Sequence, residues 1–318
     1  MVERVKTREQ MRRGEGPGGE ALRESARAGA DVITSRENRW LKKFRAVLRG
    51  KAPEPGEPIG LEGPKLIEEA IRAGLEAEAL LVSDSGEQEL QGILQAASET
   101  DPGVPRSRIL RTTDKLFARV AGTETPQGVA GLFRAREWGF EDALRGPATG
   151  EGAFRGEPTL VVVMAGVQDP GNVGTIVRSA EAFGATGAVA ARGTADPWSP
   201  RALRASAGSA LRLPMLRGVA LPVLLAQLKM AGLKIFATSA AAGEAGEIQQ
   251  DLTQPCAIFI GSEGAGLPAE LASAADGTIS IPMSEQVESL NAGIAAAVVL
   301  YEAARQRRNA TTDERRWD

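Results

Sequence analysis

The 318-residue chain is 42% apolar and 25% charged with a formal net charge of −3, the balance of an ordinary globular protein long enough for two domains. No run of about 18 apolar residues occurs, so no membrane span is expected; the single cysteine, Cys256, excludes an intrachain disulfide and a cysteine-rich zinc site, and no metal is expected. Histidine is absent, which excludes Ser-His-Asp and Cys-His chemistry and leaves proton transfer to a carboxylate, Lys, Arg, Tyr301 or water.

Residues 1–30 are rich in Gly, Glu and Arg and poor in large apolar side chains. Burial there cannot offset the entropy of ordering, so a disordered extension is expected. The crowded charge of Met1–Arg13 is not that of a secretory signal, and the cytoplasm is the expected compartment.

A first, small α/β domain is expected over residues 31–145. Asn38–Arg49 carries Trp40, Leu41, Phe44, Val47 and Leu48 at helical spacing. The same stretch is basic: Arg36, Arg39, Lys42, Lys43, Arg45, Arg49 and Lys51 are opposed within it only by Glu37. A Pro/Gly-rich loop, Ala52–Pro58, precedes a strand at Ile59–Glu62, a helix over Pro64–Ala73 and a strand at Ala79–Val82. The alternation runs on to Gly128–Phe133. Residues 146–158, rich in Gly and Pro, read as a linker.

A second α/β domain is expected over residues 159–308. Strand-like runs at Thr159–Ala165, Gly187–Ala191, Lys234–Thr238, Cys256–Gly261 and Thr278–Ile281 are separated by helical patterns at Val173–Phe183, Leu221–Ala231 and Leu290–Arg307. That alternation predicts a mostly parallel sheet. A second basic group, Arg192, Arg201, Arg204, Arg212 and Arg217, is opposed locally by Asp196 alone. Residues 309–318 form a polar tail expected to fray. Two basic segments in a mildly acidic chain suggest contact with a polyanion; solvated helix faces are the alternative, and the segments alone leave both open.

Three segments of the second domain carry chemistry. The first is Asp169-Pro-Gly-Asn-Val-Gly-Thr-Ile-Val-Arg178. Asp169–Gly171 is a turn sequence, Asn172 is suited to cap the helix, and Gly174 and Arg178 share a helix face. The second is Gly261-Ser-Glu-Gly-Ala-Gly-Leu-Pro268, directly after a buried strand, where glycine permits close backbone approach to a ligand. It lacks the Lys-Ser/Thr ending of a phosphate-binding loop and the glycine spacing of a dinucleotide site. Glu263 places a charge inside this glycine loop. The third is Ile279-Ser-Ile-Pro-Met-Ser-Glu-Gln-Val-Glu-Ser-Leu-Asn-Ala-Gly-Ile294, a polar loop from which Ser289 or Asn291 opens a long apolar helix.

In this order and spacing the three segments resemble the SpoU (TrmH-like) branch of the SPOUT RNA methyltransferases, over Thr159–Arg307. Ile59-Gly-Leu-Glu-Gly-Pro-Lys65 and Gly122–Phe133 are similar to the small substrate-binding domain, a ribosomal-protein-like α/β fold, that precedes it. The resemblance implies a parallel α/β fold with a deep C-terminal trefoil knot, which general topology rules would argue against. It implies S-adenosylmethionine held in a bent form by backbone groups at Gly261, Ile281 and Leu290, with Thr238 nearby. It implies a homodimer with the site at the subunit interface, and catalytic roles for Asn172, Arg178, Glu263, Ser289 and Asn291. It also makes RNA the polyanion, ribosomal RNA ahead of transfer RNA, with Arg36, Arg39, Lys42, Lys43, Arg45, Arg201 and Arg204 as the expected contacts. Many relatives carry a serine where this chain has Gly293.

The implied reaction moves a methyl group to a ribose 2′-hydroxyl, a weak nucleophile. Arg178 stays protonated, so it could act as a base only if a neighbouring RNA phosphate shared in the proton transfer. Its expected role is to stabilise the developing alkoxide and clamp a phosphate. Asn172 and Glu263 would orient Arg178 and the ribose, and Ser289 and Asn291 would fix the third loop. A catalytically silent RNA- or ribosome-binding protein of the same fold is the alternative, against which stands the presence of Arg178, Glu263 and Asn291. A nucleotide-binding oxidoreductase is disfavoured by the missing dinucleotide fingerprint.

Overall fold

In a computed structural model of the chain, residues 31–50, 52–100, 108–147, 158–239, 248–284 and 286–314 are described. The expected extension at residues 1–30 and most of the expected linker lie outside them. The chain divides into two compact units, residues 1–50 with 55–134, and residues 51–54 with 135–318.

The first unit runs β1 (Asp31–Ile33), α1 (Arg39–Arg49), β2 (Ile59–Glu62), α2 (Pro64–Arg72), β3 (Ala77–Ser83), α3 (Glu87–Thr100), β4 (Arg108–Thr112), α4 (Asp114–Val120) and β5 (Val129–Phe133). Asn38 caps α1, its Oδ1 accepting the Trp40 N–H at 2.8 Å. Leu41, Phe44 and Leu48, one turn apart, are the residues α1 buries, and they meet Leu81, Leu110 and Leu132 of the sheet. The sheet order is β1-β4-β3-β5-β2. β1, β4 and β3 are parallel, while β5 is antiparallel to both its neighbours, so the sheet is mixed. The Glu62 carboxylate accepts the Gly122 N–H at 2.6 Å and the Thr123 hydroxyl, tying together the two stretches that resemble a substrate-binding domain.

The second unit runs α5 (Phe140–Arg145), β6 (Leu160–Ala165), α6 (Pro170–Ala182), β7 (Gly187–Ala191), α7 (Pro200–Ser206), α8 (Ser209–Arg212), β8 (Met215–Val219), α9 (Leu221–Met230), β9 (Lys234–Ser239), β10 (Cys256–Gly261), α10 (Ala269–Ala274), β11 (Gly277–Ser280) and α11 (Ala292–Glu314). Its six strands, in the order β11-β9-β10-β6-β7-β8, are parallel at every pairing. β6 and β10 lie centrally and bury both faces, which is why they read as unbroken apolar runs. From β6 the chain winds outward one way to β7 and β8, while β10, β9 and β11 lie on its other side. A crevice for ligands belongs at the carboxyl ends of strands flanking such a reversal.

Two features depart from the sequence reading. Strand β8 is hidden in Met215-Leu-Arg-Gly-Val219, because an edge strand with one covered face tolerates Arg217 and Gly218. Helix α11 continues to Glu314, past Asn309 where the tail was expected to begin. Among the described residues no helix is long and apolar enough to cross a membrane, and no group of three or more His, Cys, Asp or Glu could hold a metal ion.

Candidate active site

The carboxyl ends of β6, β9, β10 and β11 carry the loops of interest. After β6 the chain turns at Asp169-Pro-Gly, and here the sequence reading needs a correction. Asp169, not Asn172, is the cap of α6: its carboxylate accepts the Asn172 N–H at 3.1 Å, and Pro170 fills the first helical position. Proline has no N–H to leave unsatisfied there, so the cap falls one residue before it. The consequence is chemical, since the Asn172 side chain is left free to reach across the crevice. Its amide donates to Glu263 of the loop after β10. Its carbonyl oxygen accepts from Asn291 Nδ2 at 3.0 Å. Three residues far apart in sequence, one per segment, thus form one hydrogen-bonded chain.

Of the two candidates for opening α11, the structure selects Asn291. Its Oδ1 accepts the N–H groups of Gly293 at 3.0 Å and Ile294 at 3.3 Å. Gly293 also has a reason. A Cβ there would lie 3.1 Å from Thr175 Cγ2, so glycine lets α11 start close against α6. Farther along, the rings of Phe183 and Tyr301 meet edge to face at 5.8 Å, so α6 and α11 run side by side in the same direction.

Beside this chain lies a cavity of about 440 Å³, within the range of small-molecule sites. The four residues expected near the cofactor, Thr238, Gly261, Ile281 and Leu290, line it together with Glu263 and Ser289. Ser239, Ile260, Ile279 and Glu288 also line it and were not singled out in the sequence. The only signal for Ser239, Ile260 and Ile279 is position at strand ends, and for Glu288 position in the loop before α11. Two carboxylates, Glu263 and Glu288, face the cavity, and no lysine or arginine does among the described residues. Apolar side chains and carboxylates without a cation suit a ligand with an aromatic part and positive charge. S-adenosylmethionine, with its adenine ring, sulfonium and ammonium, fits that description.

Two of these positions are also constrained by the fold itself. Thr238 spends its hydroxyl on the Phe259 carbonyl at 2.8 Å, so it cannot also donate to a ligand. A Cβ on Gly261 would lie 2.5 Å from the Gly266 carbonyl carbon. The glycine is therefore required by its own loop, which closes as a bridge between Ser262 and Gly266, whatever ligand it meets.

Arg178 does not line the cavity. It is exposed on α6 and makes no side-chain hydrogen bond or ion pair among the described residues. Gly174, one turn earlier, is buried, and the group approaching it is helix α7 through Ala202 O and Ala205. Next to α6, the exposed side of α11 carries Ile294, Val298 and Tyr301, 54%, 38% and 55% exposed, at the spacing of one helical stripe.

Several cations are less free than their neighbours in sequence suggested. Arg36 and Lys42 share Glu37. Lys43 pairs with Glu78, Arg201 with Asp169 at 3.0 Å, and Arg212 with Glu181 at 2.7 Å, all carboxylates distant in sequence. Arg39, Arg45 and Arg204 are exposed and have no carboxylate partner among the described residues.

Comparison with known proteins agrees with this geometry. The model of the SpoU rRNA Methylase family matches residues 159–301, and that of the MRM3-like substrate binding domain matches residues 41–131. A tRNA/rRNA methyltransferase of Synechocystis sp., itself uncharacterised, is 33% identical over 88% of this chain and 96% of its own length. The chain belongs to the SpoU rRNA methylase family. Members of that family are RNA methyltransferases, and this chain is an enzyme of that class. A second SpoU relative, the 23S rRNA (guanosine(2553)-2′-O)-methyltransferase of Bacillus subtilis, is 30% identical over 85% of this chain and 97% of its own. The SpoU methyltransferase AviRb from Streptomyces viridochromogenes, solved in complex with AdoMet, superposes with a TM-score of 0.69 at 29% identity, covering 85% of this chain and 98% of that one.

Proposed function

We propose that this SpoU protein transfers the methyl group of S-adenosylmethionine to a ribose 2′-hydroxyl of RNA, with ribosomal RNA as the substrate. The Glu263–Asn172–Asn291 chain at the mouth of the cavity carries this reading. The relative from Bacillus subtilis, named for 2′-O-methylation of 23S rRNA, supports the position and the RNA class.

The cofactor supplies an electrophilic methyl group on sulfur. The residues of this chain supply the rest. The loops after β9, β10 and β11 hold the cofactor in the cavity through Gly261, Ile281 and Leu290, and Glu263 and Glu288 favour its positive charge. These loops are threaded as the trefoil knot that the family resemblance implies. Asn172 and Glu263 orient the ribose. Ser289 and Asn291 fix the third loop. Arg178 offers a planar, permanently charged fork to the developing alkoxide and the adjacent phosphate.

Arg178 meets the cavity of a second copy, in a homodimer that covers the apolar stripe of Ile294, Val298 and Tyr301. The stripe and the exposed, unpaired guanidinium support this arrangement. A silent RNA-binding protein would need neither the cavity nor the unpaired arginine.

The experiment is to map 2′-O-methyl sites in ribosomal and transfer RNA from cells with and without the gene. One ribosomal site should vanish; an unchanged ribose map overturns the proposal. The dimer is tested by mixing an Arg178→Ala chain with a Leu290→Arg chain, whose added cation occupies the cavity. Exchange of chains should restore activity toward half that of the parent per mixed dimer. Exchanged chains that stay inactive would place the arginine in its own subunit's reaction.

A further inference from the structure

The first unit gathers three cations around one indole. Trp40 opens helix α1 and is half-buried, with part of its ring resting on the core cluster of Leu41 and Phe44. Arg39, Lys43 and Arg108 place their charges 5.8, 5.6 and 5.7 Å from its ring centroid. Arg39 and Lys43 come from α1 itself, whereas Arg108 comes from the first residue of β4, 68 positions beyond Trp40 in the chain. The fold, not the local sequence, assembles this cluster.

Packing alone does not account for it. One cation over an indole is attractive, but three around one ring repel one another. Two carboxylates hold two of them: Glu78 binds Lys43, and Asp31 lies 3.6 Å from Arg108. Arg39 has no carboxylate partner among the described residues, so the cluster keeps a net positive charge. The indole N–H of Trp40 makes no hydrogen bond to another described residue. The other described tryptophans differ: Trp198 is only 4% exposed and belongs to the core, and Trp138 has a single cation, Arg136, over its ring. An aromatic side chain gathered with cations at a surface is the combination that binds single-stranded nucleic acid, in which the ring stacks a base once the cations swing out to the flanking phosphates.

We propose that Trp40 is a stacking site for one unpaired RNA base, with Arg39, Lys43 and Arg108 gripping the phosphates on either side. The proposal rests on RNA being the substrate and adds to it a mode of recognition, through a splayed base instead of a duplex groove.

The test uses the full chain and two labelled probes, a single-stranded 12-nucleotide oligo(A) and a 12-nucleotide abasic ribose-phosphate of equal charge. The parent should bind oligo(A) roughly tenfold more tightly than the abasic probe, the worth of one stacked base. Trp40→Leu, which keeps the apolar contact with the core, should erase that preference and leave the salt dependence unchanged. Trp40→Phe should retain most of it. Arg108→Gln should weaken both probes and lower the slope of log affinity against log salt by about one. If Trp40→Leu binds oligo(A) like the parent while Arg108→Gln weakens it, the surface binds RNA but does not stack a base, and only this proposal fails. If neither substitution matters, or the parent binds neither probe, the RNA surface is misplaced as well. Equal loss of oligo(A), the abasic probe and a polyglutamate competitor would assign the cluster to an acidic protein partner and overturn the stacking site.

Discussion

Two arginines of the second unit, one on α11 and one on α6, are used by the fold in opposite ways. At the amino ends, Arg307 of α11 is 2% exposed and surrounded by acceptors. It donates to the carbonyls of Leu252 at 2.9 Å, Gln254 at 3.1 Å and Thr159 at 3.3 Å, and to that of Pro158. Arg178, the ninth residue of α6, is exposed with no bonded partner among the described residues. The amino ends of β6 and β10 present carbonyls of the entering loops with no helix to satisfy them, and one guanidinium with five donors answers several at once. At the carboxyl ends polar side chains instead satisfy one another in the Glu263–Asn172–Asn291 chain, in which Arg178 has no part. A charge whose donors are all satisfied by buried carbonyls holds structure, whereas an exposed and unbonded one contributes little to it.

Removing the buried charge is the strongest way to sharpen that contrast. Arg307→Met should lower unfolding free energy by about 3 kcal/mol, because several buried carbonyls lose their donor together. Urea unfolding followed by circular dichroism measures it, and calorimetry should show cofactor affinity intact in the fraction that stays folded. A variant as stable as the parent would mean that water replaces the guanidinium.

Arg178→Ala should do the reverse. Turnover should fall on the order of a hundredfold, as for loss of a donor to developing negative charge, with stability and cofactor affinity nearly unchanged. Lysine should restore little, since it keeps the charge but not the planar fork. Loss confined to KM would make Arg178 a binding residue only.

A smaller effect is expected where the two themes meet, at the cap of α6. Asp169→Ala removes the acceptor of the Asn172 N–H and the partner of Arg201, and should lower stability by about 1 kcal/mol. The Asn172 side chain should then lose its orientation, so kcat should fall more than KM rises. Asparagine at 169 can still cap and should recover most of the rate. If asparagine fails as badly as alanine, the Arg201 ion pair matters more than the cap.

The smallest effect at neutral pH belongs to Cys256, next to Arg307. Burial pushes its thiol up to about 11, the adjacent Arg307 charge opposing that rise in part. The folded state therefore holds the thiol proton more tightly than the unfolded chain does. The resulting stability is complete below the thiol's ordinary range and is lost as pH rises through it toward 11. Native protein should resist iodoacetamide at pH 8, and Cys256→Ala should flatten the fall in stability between pH 9 and 11.

Much of this was legible in the residues. The strands Thr159–Ala165 and Cys256–Gly261 stood out because central parallel strands bury both faces and so read as continuous apolar runs. Gly261, Ile281 and Leu290, which line the cavity, came from the family resemblance of the three segments; the residues alone marked only the glycine loop after a buried strand as a place where a ligand could approach. What sequence missed depended on partners far along the chain. The cap of α6 was misplaced because Asn172 and Asp169 are equally good caps, and only the position of Pro170 within the turn separates them. The free charge of the basic segments was overcounted, because Glu78 and Glu181 approach Lys43 and Arg212 only once the sheets are formed. Likewise no local pattern joins Arg108 to Trp40.

The sequence by itself determined which residue types are available: no histidine, one cysteine, three polar segments after apolar runs, and a tryptophan within a basic helix. Those follow from composition and periodicity, which act over a few residues. Tertiary structure alone decided which cations are satisfied and which are left over, since hydrogen bonds and ion pairs form between groups within about 3 Å in space whatever their separation in the chain.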